Sequence, residues 1–234
     1  MEKPELTPYI YMPELSFLQK RVLNLFSQSS LKDKFYWTGG TALAHLYLHH
    51  RRSHDLDFFS DNSFTYNQII GFVRQLKKEL NLPFIEEKKI YDRREFLLHN
   101  RERLRLEFVY YPHPGLKARR KINHIFVDSL DDIAANKLMA HFDRNDPKDL
   151  FDLYFLLTKK GYTAEKLIKL AEKKFGVGFN QGAVFSEAHK TMKDLQNLRP
   201  LLLVKTLKEK KKLIKEIQDY FVDRSNRYLR QRLK

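Results

Sequence analysis

The chain has 234 residues, no cysteine, and 44 Lys+Arg against 29 Asp+Glu, a net charge of +15. The missing cysteines exclude a disulfide framework and thiolate chemistry, while 42% hydrophobic residues with 18 Phe and 12 Tyr exclude a disordered composition. No apolar run approaches the roughly 18–20 residues of a membrane span, and MEKPELTPYIYMPELSF has no basic leader before an apolar run, so a cytoplasmic protein with no membrane partner is expected.

Taken in chain order, residues 14–30 space Leu15, Leu18, Val22, Leu25 and Phe26 as the buried stripe of a helix. Phe35 to Trp37 reads as a short strand running into Gly39-Gly40. Thr41 is placed to cap the helix that follows, with Leu43, Leu46 and Tyr47 inward. HDLDFFS reads as a strand and residues 65–80 as an amphipathic helix through Ile69, Ile70, Val73 and Leu76. KKIYDRREFLLHN and ERLRLEFVYY are extended, and GLKARRKINHIFV is a basic connector. From SLDDIAANKLMAHF onward the pattern is helical: DPKDLFDLYFLLTKKG, TAEKLIKLAEKKFG, and a long basic helix over residues 201–222 with Leu207, Ile214, Ile217 and Phe221 as its apolar stripe. This is an α+β chain, with a mixed α/β half over residues 1–125 and a helical half over 126–234.

Three segments carry candidate chemistry. Gly39-Gly40-Thr41 at a strand–helix junction can present backbone N–H groups to an anion, although it is neither a Walker loop nor a dinucleotide fingerprint and is also consistent with an ordinary turn. Asp55 and Asp57, two apart on a strand, share one face. Paired carboxylates repel unless a cation lies between them, and Mg²⁺ binds through one or two carboxylates with phosphates completing its shell. A solvated face neutralised by Arg51, Arg52 and His54 is the plainer alternative. Glu107 alternates onto the same side of its strand as Arg103, Arg105 and Val109, so it is either a third metal ligand or base, or the partner of a neighbouring arginine. Asp132 also fits a capping box from Ser129, and Asp146-Pro147-Lys148-Asp149 fits a helix start. Lys148 and Asp152 are spaced for a surface pair. His45, His49, His50 and His54 lie on a helix and a loop beside arginines, a poor arrangement for a transition metal.

Gly39-Gly40-Thr41, thirteen residues, then Asp55-Leu56-Asp57 resembles the first motif of the nucleotidyltransferase superfamily, and RRSHDLDFFS resembles its form in the AbiEii/AbiGii toxin family. Asp132-Ile-Ala-Ala-Asn-Lys137 resembles that family's Asp-x4-Lys motif, and Arg144-Asn-Asp-Pro-Lys148-Asp149-Leu-Phe-Asp152 its Arg-x3-Lys-Asp-x2-Asp motif. The likeness covers roughly residues 35–157. The family's intervening lysine has no clear counterpart, Arg103, Arg105 and Lys117 being the available cations, and Glu107 stands where many relatives have Asp.

The resemblance implies a nucleotidyltransferase-like mixed sheet flanked by helices, followed by a C-terminal helical domain that completes the active site. It implies transfer of an NMP from an NTP to a hydroxyl acceptor, in the toxin of an abortive-infection or toxin–antitoxin system with a cognate antitoxin. Asp55, Asp57 and Glu107 would hold two Mg²⁺ ions, with Lys137 and Lys148 catalytic beside them. Gly39, Gly40, Thr41, Arg52, Asp132, Arg144, Asp149 and Asp152 would bind the nucleotide, the last two orienting Lys148 or the base. Residues 201–234 carry eleven Lys/Arg against four acids, net +7, which favours an RNA acceptor such as tRNA. Two alternatives remain open from sequence: a small-molecule or protein hydroxyl as acceptor, and a catalytically silent fold serving as a binding module.

Overall fold

The structure, a computed structural model, describes residues 14–233, so most of the N-terminal stretch read for a leader lies outside the described residues. The opening helix α1 (Phe17–Gln28) is fixed at its start by a reciprocal cap. Ser16 Oγ accepts from the Gln19 N–H, and Gln19 Oε1 accepts from the Ser16 N–H at 2.9 Å. Its stripe of Leu18, Val22, Leu25 and Phe26 is buried as the spacing predicts. Gln19 also donates to the Ser53 carbonyl at 3.0 Å, tying α1 to the loop that carries the acidic pair.

Seven strands follow: β1 (Tyr36–Thr38), β2 (Leu56–Ser60), β3 (Phe84–Ile90), β4 (Arg93–His99), β5 (Arg103–Tyr110), β6 (Arg120–Ile122) and β7 (Ile125–Val127). They form one sheet in the order β3-β4-β5-β2-β1-β7-β6. The pairs β1–β7 and β2–β5 are parallel and the others antiparallel. Leu56 and Phe58 on β2 and Leu104, Leu106 and Phe108 on β5 point to one buried face, where Phe58 stacks on Phe26 with ring centroids 3.9 Å apart. The period of two therefore turns Asp57 and Glu107 to the opposite face.

The segment expected to be a basic connector builds part of the sheet instead. Asn123 and His124, both at positive φ, make the two-residue reversal of a β6–β7 hairpin, and buried Ile125 and Val127 anchor it beside β1. Two polar residues that tolerate left-handed backbone gave the turn, and the basic run masked the short strands.

The helices are α2 (Gly39–Ala42), running on into a π-helical turn over Leu43–Leu48, then α3 (Tyr66–Glu79), α4 (Leu130–Arg144), α5 (Pro147–Lys159), α6 (Ala164–Phe175), α7 (Gln181–Thr191) and α8 (Leu207–Arg232). A 3₁₀ stretch over Met192–Leu201 joins α7 to α8. The helical reading of residues 126–234 covers α7 and that stretch without marking either out, although Val184, Phe185, Ala188, Met192, Leu195 and Leu198 are buried at helical spacing. Ile214, Ile217 and Phe221 bury the inner face of α8, but Leu207 is 56% exposed and lies outside that seam. One hydrophobic core runs from α1 through the sheet to α8.

Candidate active site

Glycine is required twice where β1 meets α2. Gly39 has φ +77°, and a Cβ there would lie 1.9 Å from Asp57 Oδ2. A Cβ on Gly40 would lie 2.8 Å from Arg51 Nη2. The turn is thus pressed against a carboxylate at one glycine and a guanidinium at the next. Thr38, not Thr41, is the residue before the helix, and its hydroxyl donates to Asp128 Oδ2 at 2.9 Å. Thr41 is buried inside the turn and donates to the Asp55 carbonyl. Its hydroxyl is committed to placing Asp55, which corrects its expected role as the cap.

The acids meet through strand register. Thr38 pairs with Asp57, Asp57 with Glu107, and Glu107 with Glu95, so one row crosses four strands. Asp55 precedes β2 by one residue and accepts from Arg105 Nη2 at 2.6 Å. Glu107 lies between two arginines, with Arg93 Nη1 at 3.3 Å and Arg105 Nε at 3.2 Å. Burial, then the Glu107 and Asp55 carboxylates, push the Asp57 carboxyl up to about 7. Among the described residues no three His, Asp or Glu side chains are placed to enclose a cation unaided. Asp55 and Asp57, two hard carboxylates lining the same cleft, do fit Mg²⁺, which takes few protein ligands and fills its octahedron from water and phosphate.

The helical half supplies cations held from below. Lys137 on α4 donates to Asp149 Oδ1 at 2.8 Å, and its Nζ lies 2.8 Å from Asp152 Oδ2. Asp152 is completely buried and also accepts from Arg51 Nε at 2.7 Å and Nη2 at 2.8 Å, with His50 Nε2 at 2.6 Å. Arg144 donates to Asp149 Oδ2 at 2.7 Å and to Oδ1 at 3.0 Å. Burial alone would raise both aspartates, but Arg51 and Lys137 hold Asp152 well below the usual carboxylate range, and Lys137 with Arg144 lowers Asp149. Burial drives His50 down to about 4 despite its hydrogen bond to Asp152, leaving it neutral. Three permanent cations therefore face two anions, and the surplus charge is positive.

Eight of the thirteen residues singled out in the sequence line one cleft of about 500 Å³: Gly39, Gly40, Asp55, Asp57, Glu107, Lys137, Arg144 and Lys148. The remaining five are arranged differently. Asp149 and Asp152 hold Lys137 rather than Lys148, whose ammonium lies 3.8 Å from Asp146. Nor do Lys148 and Asp152 make a surface pair, since Asp152 points inward. Asp132 is fully buried, accepting from Ser129 Oγ at 2.6 Å, Lys174 Nζ at 2.8 Å and the Leu116 N–H at 2.9 Å. It fixes the loop after β5 and braces α6, away from the cleft. Arg52 is exposed, while its neighbour Arg51 enters the network. The sequence had offered Arg51 as a surface neutraliser; its partner lies 101 residues away, a distance that no local pattern reveals. Arg93, Tyr111 and Asn136 line the cleft and were not singled out as site residues.

Carboxylates on the sheet side, cations on the helix side and an N–H-bearing turn between them suit a polyphosphate bridged to a divalent ion. A protein of Aquifex aeolicus, "Uncharacterized protein aq_aa25", is 32% identical over 166 residues, 70% of this chain and 77% of that protein. The crystal structure of JHP933 from Helicobacter pylori superposes with a TM-score of 0.58 at 19% identity, covering 93% of this chain and 97% of that one, which establishes a shared fold. The sequence model described as "AbiEii: Nucleotidyl transferase AbiEii toxin, Type IV TA system" matches residues 21–226. This chain belongs to the AbiEii nucleotidyl transferase toxin family.

Proposed function

We propose that the cleft transfers a nucleoside monophosphate from an NTP to a hydroxyl of an RNA acceptor, with tRNA as the preferred class. The acceptor oxygen attacks the α-phosphorus, the bond from that phosphorus to the β-bridging oxygen breaks, and pyrophosphate leaves while the hydroxyl proton passes to solvent or a cleft carboxylate. Asp55 and Asp57 would hold Mg²⁺, which when bound neutralises phosphate charge and acidifies the attacking hydroxyl. Backbone N–H groups of the Gly39-Gly40 turn and the ammonium of Lys137 receive the triphosphate. Asp149 and Asp152 position Lys137 as a fixed cation, so little rearrangement is needed as charge develops on the leaving pyrophosphate. Arg144 and Lys148 add charge at the rim, and Glu107 holds Arg93 and Arg105 beside the acidic pair.

The observation that carries this reading is the convergence of the glycine turn, the Asp55/Asp57 pair and Lys137 on one cleft. The RNA preference rests on the net +7 of residues 201–234, most of whose cations stand exposed on α8. The family's description as a toxin of a type IV system supports growth arrest and a cognate antitoxin. Incubation with each α-labelled NTP, Mg²⁺ and total RNA tests the reaction. Label should enter RNA with the unmodified protein and not with Asp57→Asn. Equal incorporation by both proteins would refute the assignment.

A further inference from the structure

The turn between β3 and β4 carries an expensive residue. Tyr91 is 93% exposed, so its ring contributes little to folding. Its backbone has φ +49°, a left-handed conformation that bulky side chains rarely adopt. Both features fall on a residue that lines the catalytic cleft beside Arg93, with Met139 and Ala140 of α4 lining the same space. Lys88 on β3 is exposed, lies outside the cleft lining, and shares the cleft face through its register with Glu95 and Glu107, whereas Lys89 points to the other face of the sheet. An aromatic ring held in water among cations is the arrangement by which proteins bind single-stranded nucleic acid without reading sequence: bases stack and phosphates pair.

We propose that Tyr91 is a stacking platform for a nucleobase at the cleft mouth, and that the base is the terminal one of the RNA acceptor. This rests on the nucleotidyl-transfer reading above. A nucleobase could also arrive as part of the NTP. The acceptor is favoured because Lys88, on the cleft face of β3 and outside the cleft lining, offers a cation to a second phosphate, which a polynucleotide carries beyond the stacked base and a mononucleotide does not.

The test compares wild type, Tyr91→Ala and Tyr91→Trp for binding of a short fluorescein-labelled single-stranded RNA and, separately, of each NTP with Mg²⁺. Stacking on one aromatic ring predicts that Tyr91→Ala raises the Kd for the RNA roughly tenfold. The slope of log Kd against log salt should stay unchanged, because no phosphate contact is lost. Tyr91→Trp should bind at least as tightly as wild type, an outcome that a purely structural role for the turn would not give. Weakened NTP binding with unaltered RNA binding would overturn the acceptor assignment and move the base to the incoming nucleotide. Wild-type binding of both ligands by Tyr91→Ala overturns the platform alone. If wild type itself binds neither RNA nor NTP, the nucleotidyl-transfer reading fails and the platform falls with it.

Discussion

Asp57→Asn isolates the cost of a buried carboxylate that faces two others. In the free protein the Asp57 carboxyl is raised from the ordinary 3.8 to about 7, first by burial and then by Glu107 and Asp55. A shift of about three pH units corresponds to an upper value near 4 kcal/mol at ~1.36 kcal/mol per unit, which solvent in the open cleft reduces to roughly 1–3 kcal/mol. The sign follows from proton binding. Between about pH 4 and 7 the folded chain keeps a proton that the unfolded chain has released, so this group's contribution to stability declines as pH rises through that window. Asparagine imitates the protonated acid and removes the decline. Urea unfolding without divalent ions should therefore give similar stabilities for both proteins near pH 4.5, and a more stable variant at pH 8. Adding Mg²⁺ at pH 8 should stabilise the wild type, since a ligand binding only the folded state adds to its stability, and should leave the variant nearly unmoved. Asp128, raised to about 6 mainly by burial, titrates in both proteins and cancels in the difference. A wild-type-to-variant gap independent of pH from 4.5 to 8 would refute the reasoning.

Gly39→Ala should abolish nucleotide incorporation and destabilise the fold by about 1–3 kcal/mol, because the new methyl group meets Asp57 and the left-handed backbone resists it; a thermal melt and the labelling assay check both. Removing Arg51 as Arg51→Met should cost about 3–5 kcal/mol in urea unfolding by leaving Asp152 buried without its bidentate partner. A change below 1 kcal/mol would mean that Lys137 and His50 suffice for Asp152. For Asp132→Asn, NTP affinity should remain within about twofold of wild type while the melting temperature falls, since its partners belong to the loop after β5 and to α6; an NTP Kd raised tenfold with an unchanged melt would restore it to the nucleotide site. RNA binding should weaken steeply between low and physiological salt, as counterion release requires, and a flat profile would remove the electrostatic argument for α8.

The fold was legible where periodicity was strong. The α1 stripe, the alternation of Leu104, Leu106 and Phe108, and the cap-and-proline start of α5 each announced themselves locally. The β6–β7 hairpin did not, because strands of three residues carry no period, and α7 was not marked out within the helical half although Val184, Phe185, Ala188, Met192, Leu195 and Leu198 are buried at helical spacing. The site divides along the same line. Asp55, Asp57 and Glu107 follow from strand alternation, and Gly39 and Gly40 from a turn signal. Partner choice was invisible: Asp152 looked like a surface neighbour of Lys148, yet tertiary packing turned it onto Lys137 and Arg51. Adjacent arginines at 51 and 52 took opposite fates, one interior and one exposed, because only one side of that loop faces α5.

The bond from Arg51 to Asp152 also bears on synthesis. A ribosome releases the glycine turn and the acidic strand long before it makes α5, so the emerging polypeptide carries half of its chemistry without the clamp that orients the other half. A fragment ending before residue 152 lacks the carboxylate that holds Arg51 and Lys137, so the cationic wall of the cleft is assembled only once α5 has packed behind the sheet.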